Sequence, residues 1–339
     1  MDITVSPTQL YNEIIEVISA GLVPIVKSSP GMSKSAIISL VAKDCNLKLI
    51  DLRLSQCTPE DLQGFPMRTG NKASFVPFDM FPIAGEPIPD GYDGYLLLLD
   101  EITSASKPVQ AAAYKLVLDK YVGSFPLHEN CAIVCAGNKA TDHAVVVKMS
   151  TALQSRLIHY ELELSAQDWL TWAYAEDLDH RVTGFINFMP DKLMSFDPDN
   201  TDETFSCPRT LEFLSKLTKG KEVTNKMLPR IAGTIGSGVA IEFICFAQEF
   251  DKLPSFSDIC TKPDSVSVPD EPSTKYATIS MLIQNHTNTS IKEVLQYVER
   301  FDPEMQIVFS KGVNAKNPRL RTINTAFQSF MLSLVQSIQ

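Results

Sequence analysis

Short apolar runs recur along the first half of the chain, and several are separated by stretches of a different period. Val23–Val26, Leu47–Leu52, Tyr95–Leu99, Ala132–Ala136 and His159–Leu164 have the length and composition of buried strands. Residues 8–20 instead carry Leu10, Ile14, Ile15 and Ile18 at a spacing of three to four, which predicts a helix. Lys34–Asp44 and Lys107–Asp119 read the same way. Strands alternating with helices predict an α/β core with a mainly parallel sheet covered on both faces. Ligands of such sheets bind outside the carboxyl ends of the strands.

Two segments interrupt this alternation. Met67–Phe75 predicts a hairpin turning at Gly70-Asn71, inside a stretch rich in Pro, Gly and Phe, and Tyr121–Leu127 predicts a second one at Gly123-Ser124. From Asp168 onward the pattern is helical, over Asp168–Asp177, Val182–Phe188, Arg209–Lys219 and one long stretch, Asn225–Phe250. Within the last, Ile231–Val239 carries a small-residue stripe that invites close helix packing. Residues 253–276, with Pro254, Pro263, Pro269 and Pro272, read as a linker or long surface loop. Further helices are expected around Ala277–Asn285, Ser290–Phe301 and Arg319–Ser337. The division that follows is 1–165, 166–252 and 253–339.

At 339 residues the chain exceeds one ordinary core, and 44% hydrophobic with 21% charged residues is the balance of a soluble globular protein. The net charge of -10 argues against a large basic nucleic-acid footprint. No apolar run approaches the roughly 20 residues a membrane span needs, and the N-terminus lacks a signal-peptide pattern. Seven scattered cysteines without a C-x-x-C pair complete the expectation of a cytoplasmic protein with no membrane association. Cys131 and Cys135 lie on one side of an apolar strand and read as buried thiols. The five histidines form no metal-ligand spacing.

The candidate chemistry sits at strand ends. Ser28-Ser29-Pro30-Gly31-Met32-Ser33-Lys34-Ser35 follows a strand, precedes a helix and approaches the phosphate-loop template G-x-x-x-x-G-K-[ST]. Lys34 and Ser35 are in place, whereas Ser28 and Ser33 occupy the two glycine positions. Leu96–Leu99 ends in Asp100-Glu101, two acids whose burial asks for a cation. The first has the position that helps hold Mg²⁺ in phosphate-loop enzymes, and the second can polarise an attacking water. Ile133–Ala136 ends in Gly137-Asn138, an amide placed beside those acids in a neighbouring strand.

The order of phosphate loop, Asp-Glu strand, strand-end Asn138, Arg156 and Arg209 resembles an AAA+ ATPase. Asp100-Glu101-Ile102-Thr103-Ser104-Ala105 with Gln110-Ala111-Ala112 is similar to the D-E-I-N-R-A…Q-A-A-L signature of the MoxR branch. Ala152–Leu157 resembles its A-L-x-x-R-F segment, Cys207-Pro208-Arg209 its S-P-R sensor 2 start, and the two hairpins fall where that branch carries insertions. The resemblance covers about 20–250. It implies a nucleotide-binding domain over 1–165, a helical lid over 166–252, and a mostly helical extension of no assigned role over 253–339. It further implies ATP cradled by Ser29, Pro30, Gly31, Met32 and Ser33, with Lys34 on the β/γ-phosphates. Ser35 and Asp100 would hold Mg²⁺, Glu101 would activate water, and Asn138 would be sensor 1. Arg156 would be an arginine finger reaching a neighbour's site, and Arg209 sensor 2.

Such a finger requires a homo-oligomer, in this superfamily usually a hexameric ring, and MoxR-type proteins commonly work with a partner bearing a von Willebrand factor A domain. The function implied is a Mg-ATP-hydrolysing, chaperone-like remodeller of a protein complex. The departures are the two serines, Thr103 in place of Asn, and Leu157 in place of Phe. A serine held at positive φ costs roughly 1 kcal/mol or more, which the fold can absorb, so binding is expected to survive and hydrolysis to be slow but present. The alternatives are a hydrolysis-poor nucleotide-binding scaffold and, further off, a DNA-acting motor gripping through Arg68 and Lys72.

Overall fold

The computed structural model describes residues 4–139, 147–197 and 203–338. His143, part of the histidine pattern above, lies outside them. The chain divides into two compact units, Met1–Leu164 and Ser165–Gln339.

The first unit is α/β, as the alternating pattern predicts. Its six-stranded sheet contains β1 (Thr4–Val5), β2 (Val23–Ser28), β3 (Leu47–Arg53), β6 (Gly94–Asp100), β9 (Cys131–Asn138) and β10 (Leu157–Leu162). The order is β1-β10-β2-β9-β6-β3, and every pairing is parallel. Strands covered on both faces carry apolar residues at every position, and Leu96, Leu97, Leu98 and Leu99 are all fully buried. Alternate side chains serve opposite faces. Leu97, Leu99, Ile133 and Cys135 join one core with Leu62 of α3 (Pro59–Gln63) and Val109, Ala113 and Leu116 of α4 (Lys107–Asp119). The other face packs against α1 (Pro7–Ser19) and α2 (Lys34–Asp44). A short α5 (Thr151–Gln154) precedes β10.

Both expected hairpins are present. β4 (Phe65–Thr69) pairs antiparallel with β5 (Lys72–Val76) about Gly70, which has φ 64°, and β7 (Tyr121–Val122) pairs with β8 (Phe125–Pro126). The Cys131 and Cys135 thiols are buried, and that burial pushes each up to about 12. At pH 8 the thiolate fraction is then only about 10⁻⁴. We expect iodoacetamide to leave both unlabelled in the native protein and to label them after denaturation. Peptide mass spectrometry reads this directly, and native-state labelling of Cys135 would contradict the burial.

The second unit is helical. It comprises α6 (Ala166–Ala175), α7 (His180–Phe188), α8 (Pro208–Thr218), α9 (Leu228–Ile235), α10 (Ser237–Gln248), α11 (Phe256–Thr261), α12 (Pro272–Asn285), α13 (Ile291–Val298), α14 (Pro303–Lys316), α15 (Leu320–Ile323) and α16 (Thr325–Ile338). The long helix predicted over Asn225–Phe250 is broken. Gly236 separates α9 from α10 with φ 86° and ψ 152°, a conformation essentially restricted to glycine. In the small-residue stripe, a Cβ at Gly233 or Gly238 would meet nothing within 4 Å, whereas one at Gly236 would lie 3.3 Å from Thr204 O. Close approach occurs elsewhere: a Cβ on Gly312 of α14 would lie 2.5 Å from Ile283 of α12, and one on Gly184 of α7 would lie 2.7 Å from Ser280 Oγ.

The stretch 253–276 is not a free linker throughout. It contains α11, whose Ile259 is fully buried, and its residues Pro263 and Val266 accept hydrogen bonds from Arg300. α14 was missing from the sequence pattern, although Asp302-Pro303 is a helix-start signal and Met305, Phe309 and Val313 recur every four residues on its buried face. Asn324, in an extended conformation, divides the last predicted helix into α15 and α16. A buried carboxylate, Asp179, ties α7 to α8 by accepting from Arg181 and Thr218. Among the described residues no helix is long and apolar enough to cross a membrane.

Candidate nucleotide site at the carboxyl edge of the sheet

The loop between β2 and α2 turns through two left-handed residues, Gly31 with φ 79° and Ser33 with φ 61° and ψ 24°. Glycine reaches this region freely, whereas serine incurs a steric cost of about 1–2 kcal/mol. Helix α2 starts directly after Ser33 with no side-chain cap and no acidic residue in its first turn. Its first N–H groups therefore point at the loop, the arrangement that suits an anion. Ser33→Gly relieves the strain but adds about 0.5–1 kcal/mol of unfolded-state entropy. The net expectation is a gain of about 0.5 kcal/mol, or a rise in Tm of about 1–2 °C. A fall in Tm would show that the Ser33 side chain contributes something its backbone conformation does not.

Ser28, at the other glycine position, ends β2 and is fully buried. Its role is to receive the lysine. Lys34 Nζ, itself buried, donates to Ser28 Oγ at 2.9 Å, Ser28 O at 3.2 Å and Asn138 Oδ1 at 3.2 Å. The last contact follows from register, because β9 lies beside β2 with Asn138 paired to Ser28. Asn138 N–H donates to Thr103 Oγ1 at 2.9 Å, so the residue that departs from the D-E-I-N pattern holds the strand-end amide in place. Gly137 permits this approach, since a Cβ there would stand 2.6 Å from the Thr103 side chain.

The acids lie at the end of β6. Ser35 Oγ donates to Asp100 Oδ2 at 3.0 Å, joining the two expected Mg²⁺ ligands. Glu101 leaves the strand in the left-handed region, φ 57°, with its N–H bonded to Asp100 Oδ1 at 2.8 Å. The carboxylate of Glu101 accepts a hydrogen bond from the Ser55 hydroxyl, in the 3-10 turn Leu54–Gln56 that follows β3. The loop that follows is stapled by buried Gln110, whose Nε2 donates to Ile102 O, Ala105 O and Val147 O. Leu157 is buried in the core.

The local field is negative. Partial burial pushes the Asp51 carboxyl above its ordinary range, the charge of Asp100 pushes it further, Arg53 opposes this, and Glu101 adds the smallest push upward. A hydroxyl and a carboxylate oxygen beside this acidic edge are hard ligands of the kind Mg²⁺ takes. No group of three or more His, Cys, Asp or Glu with metal-binding spacing occurs among the described residues.

Lys34, Ser35, Asp100, Glu101 and Asn138 thus converge on one edge of the first unit. Arg156 does not join them. It is exposed beyond α5, with Nη1 donating to Ala152 O at 2.8 Å and Ser155 Oγ at 3.3 Å. Arg209 belongs to the second unit, exposed in the first turn of α8. Ser55 and Asp51 were not singled out in the sequence, because nothing local to β3 marks them.

No protein-family model matches the chain, and no curated protein matches it. Among solved structures, a protein of Cytophaga hutchinsonii named a "putative ATPase" aligns over 97% of this chain and 88% of its own, at 12% identity and a TM-score of 0.37. The functional reading therefore rests on the geometry of this chain.

Proposed function

We propose that this protein is a Mg-ATP-dependent ATPase of the AAA+ type, similar to the MoxR branch, and that it works as a ring-forming remodeller of protein complexes. The observation that carries the reading is the joining of Lys34 to Asn138 and of Ser35 to Asp100 at the carboxyl edge of one parallel sheet, beside an uncapped helix start. Residues 29–33 wrap the phosphates, and Lys34 moves from its protein acceptors to the β/γ-oxygens. Ser35 and Asp100 would hold Mg²⁺, which when bound would supply charge neutralisation at the transferring phosphoryl group. Glu101 accepts a proton from the attacking water, and Asn138 orients that water or the γ-phosphate. Arg156 serves the site of a neighbouring copy, and Arg209 acts as sensor 2 from the lid. A protein client, handed on by a partner with a von Willebrand factor A domain, suits the acidic balance of the chain better than a nucleic acid does.

The deciding experiment is phosphate release by the purified chain beside Glu101→Gln. A positioned general base is worth about 10²–10⁴ in rate, so Glu101→Gln is expected to bind ATP and release phosphate at least 100-fold more slowly. A second reading, a nucleotide-binding scaffold without turnover, is favoured by the bond that engages the Glu101 carboxylate with Ser55. It predicts equal, negligible phosphate release from both proteins with ATP binding intact in each.

A further inference from the structure

The Arg156 guanidinium lies over the ring of Tyr114, 5.1 Å from its centroid. Tyr114 sits on α4, half-buried, with its ring packed against the core that holds Val109, Ala113 and Leu116. The platform is therefore rigid. Arg156 is anchored at its backbone as well: its N–H donates to Leu153 O at 3.2 Å, and the next residue, Leu157, is buried at the start of β10. One face of the guanidinium is covered by the ring, and Nη1 is bonded to Ala152 O and Ser155 Oγ. Among the described residues, Nε and Nη2 donate to no acceptor.

We infer that Tyr114 is a positioning residue for Arg156: its ring orients the guanidinium so that the free Nε–Nη2 edge is presented outward to a phosphate of the adjoining copy. This rests on the reading of Arg156 as a trans-acting arginine. An exposed arginine side chain loses about 2 kcal/mol of rotamer freedom when held in one geometry. A planar cation stacked on a fixed ring has lost part of that freedom before assembly, and the loss no longer opposes the reacting geometry. Tyr114 acts through Arg156 and not on the reacting atoms.

The experiment uses the full chain above its assembly concentration and compares phosphate release at saturating ATP with equilibrium binding of a fluorescent ATP analogue. A surface cation–π contact corresponds to about a two- to fivefold effect. Tyr114→Leu is expected to lower kcat by that factor with analogue affinity unchanged, and Tyr114→Phe, which keeps the ring, is expected to restore most of the rate. The decisive readout is subunit mixing. Glu101→Gln subunits carry an intact Arg156 and no working site of their own. Mixed with Tyr114→Leu subunits, they should raise the rate per Tyr114→Leu site, as they should for Arg156→Ala subunits used as the reference.

An unchanged or increased kcat for Tyr114→Leu overturns the inference. So does a reduced kcat that mixing does not relieve, because a packing defect stays within its own subunit. Should Tyr114→Leu fail to fold, Tyr114→Met carries the same test. If Arg156→Ala itself keeps the wild-type rate, the trans-acting arginine is wrong and Tyr114 falls with it, a result distinct from the loss of Tyr114 alone.

Discussion

Arg156→Ala is expected to reduce phosphate release per site by about 10³–10⁵-fold, the worth of an arginine that neutralises charge at a transferring phosphoryl group. Equilibrium ATP binding should be unchanged. The reasoning is spatial. Lys34, Ser35, Asp100, Glu101 and Asn138 form the candidate site, and Arg156 lies exposed beyond α5, its guanidinium bonded to Ala152 and Ser155 and stacked on Tyr114. In the proposed function a residue so placed acts through another copy. Specific activity should therefore rise with protein concentration for the wild type and remain flat for Arg156→Ala. Wild-type activity independent of concentration down to the nanomolar range, with Arg156→Ala equally active, would remove the ring from the proposal.

Lys34→Ala is expected to abolish nucleotide binding as well as turnover. Each charge-assisted hydrogen bond is worth about 1.5–3 kcal/mol, and two of them directed at phosphate oxygens correspond to about 10²–10⁴ in affinity. The same substitution withdraws the donor now shared by Ser28 Oγ, Ser28 O and Asn138 Oδ1. Some loss of stability then accompanies the loss of binding. Lys34→Met, which keeps the aliphatic stem and loses only the donor, helps to separate the two: it should melt above Lys34→Ala and still fail to bind. Isothermal titration with ATP and Mg²⁺ reads the outcome, and micromolar binding by a folded Lys34→Met would sink the phosphate-loop assignment.

Much of this fold was legible in the chain because its signals are local. The predicted bounds of Lys34–Asp44 and Lys107–Asp119 coincide with α2 and α4, and each of the five predicted strands has its counterpart. Both hairpins carry glycine at the turn, and the buried strand Leu96–Leu99 is unmistakable. The failures are equally physical. Gly236 sits inside a continuous apolar pattern, and only its φ of 86° reveals that the helix stops there. Asn324 and the short α11 are comparable, since a break or a single turn of helix leaves little periodicity to read. The glycines that do permit close packing, Gly184 and Gly312, lie in no visible stripe. Their need is set by Ser280 and Ile283 on α12, far away in sequence.

The candidate site divides in the same way. Residue types and their order along the chain identified Lys34, Ser35, Asp100, Glu101 and Asn138, because a strand end followed by a small turn and a charged or amide side chain is a local statement. Positive φ at Ser33 was legible too, since the template demands glycine where serine stands. The sequence placed Asn138 beside the acids of β6, and tertiary structure decided that its strand also adjoins β2. With β9 between β2 and β6, Asn138 is brought to Lys34, and Thr103 becomes the acceptor that fixes it. The partners of Glu101 and Arg156, namely Ser55 and Tyr114, likewise appear only in the fold. Parallel pairing joins segments tens of residues apart, and register sets which side chains meet; neither leaves a mark on the periodicity of the segments themselves.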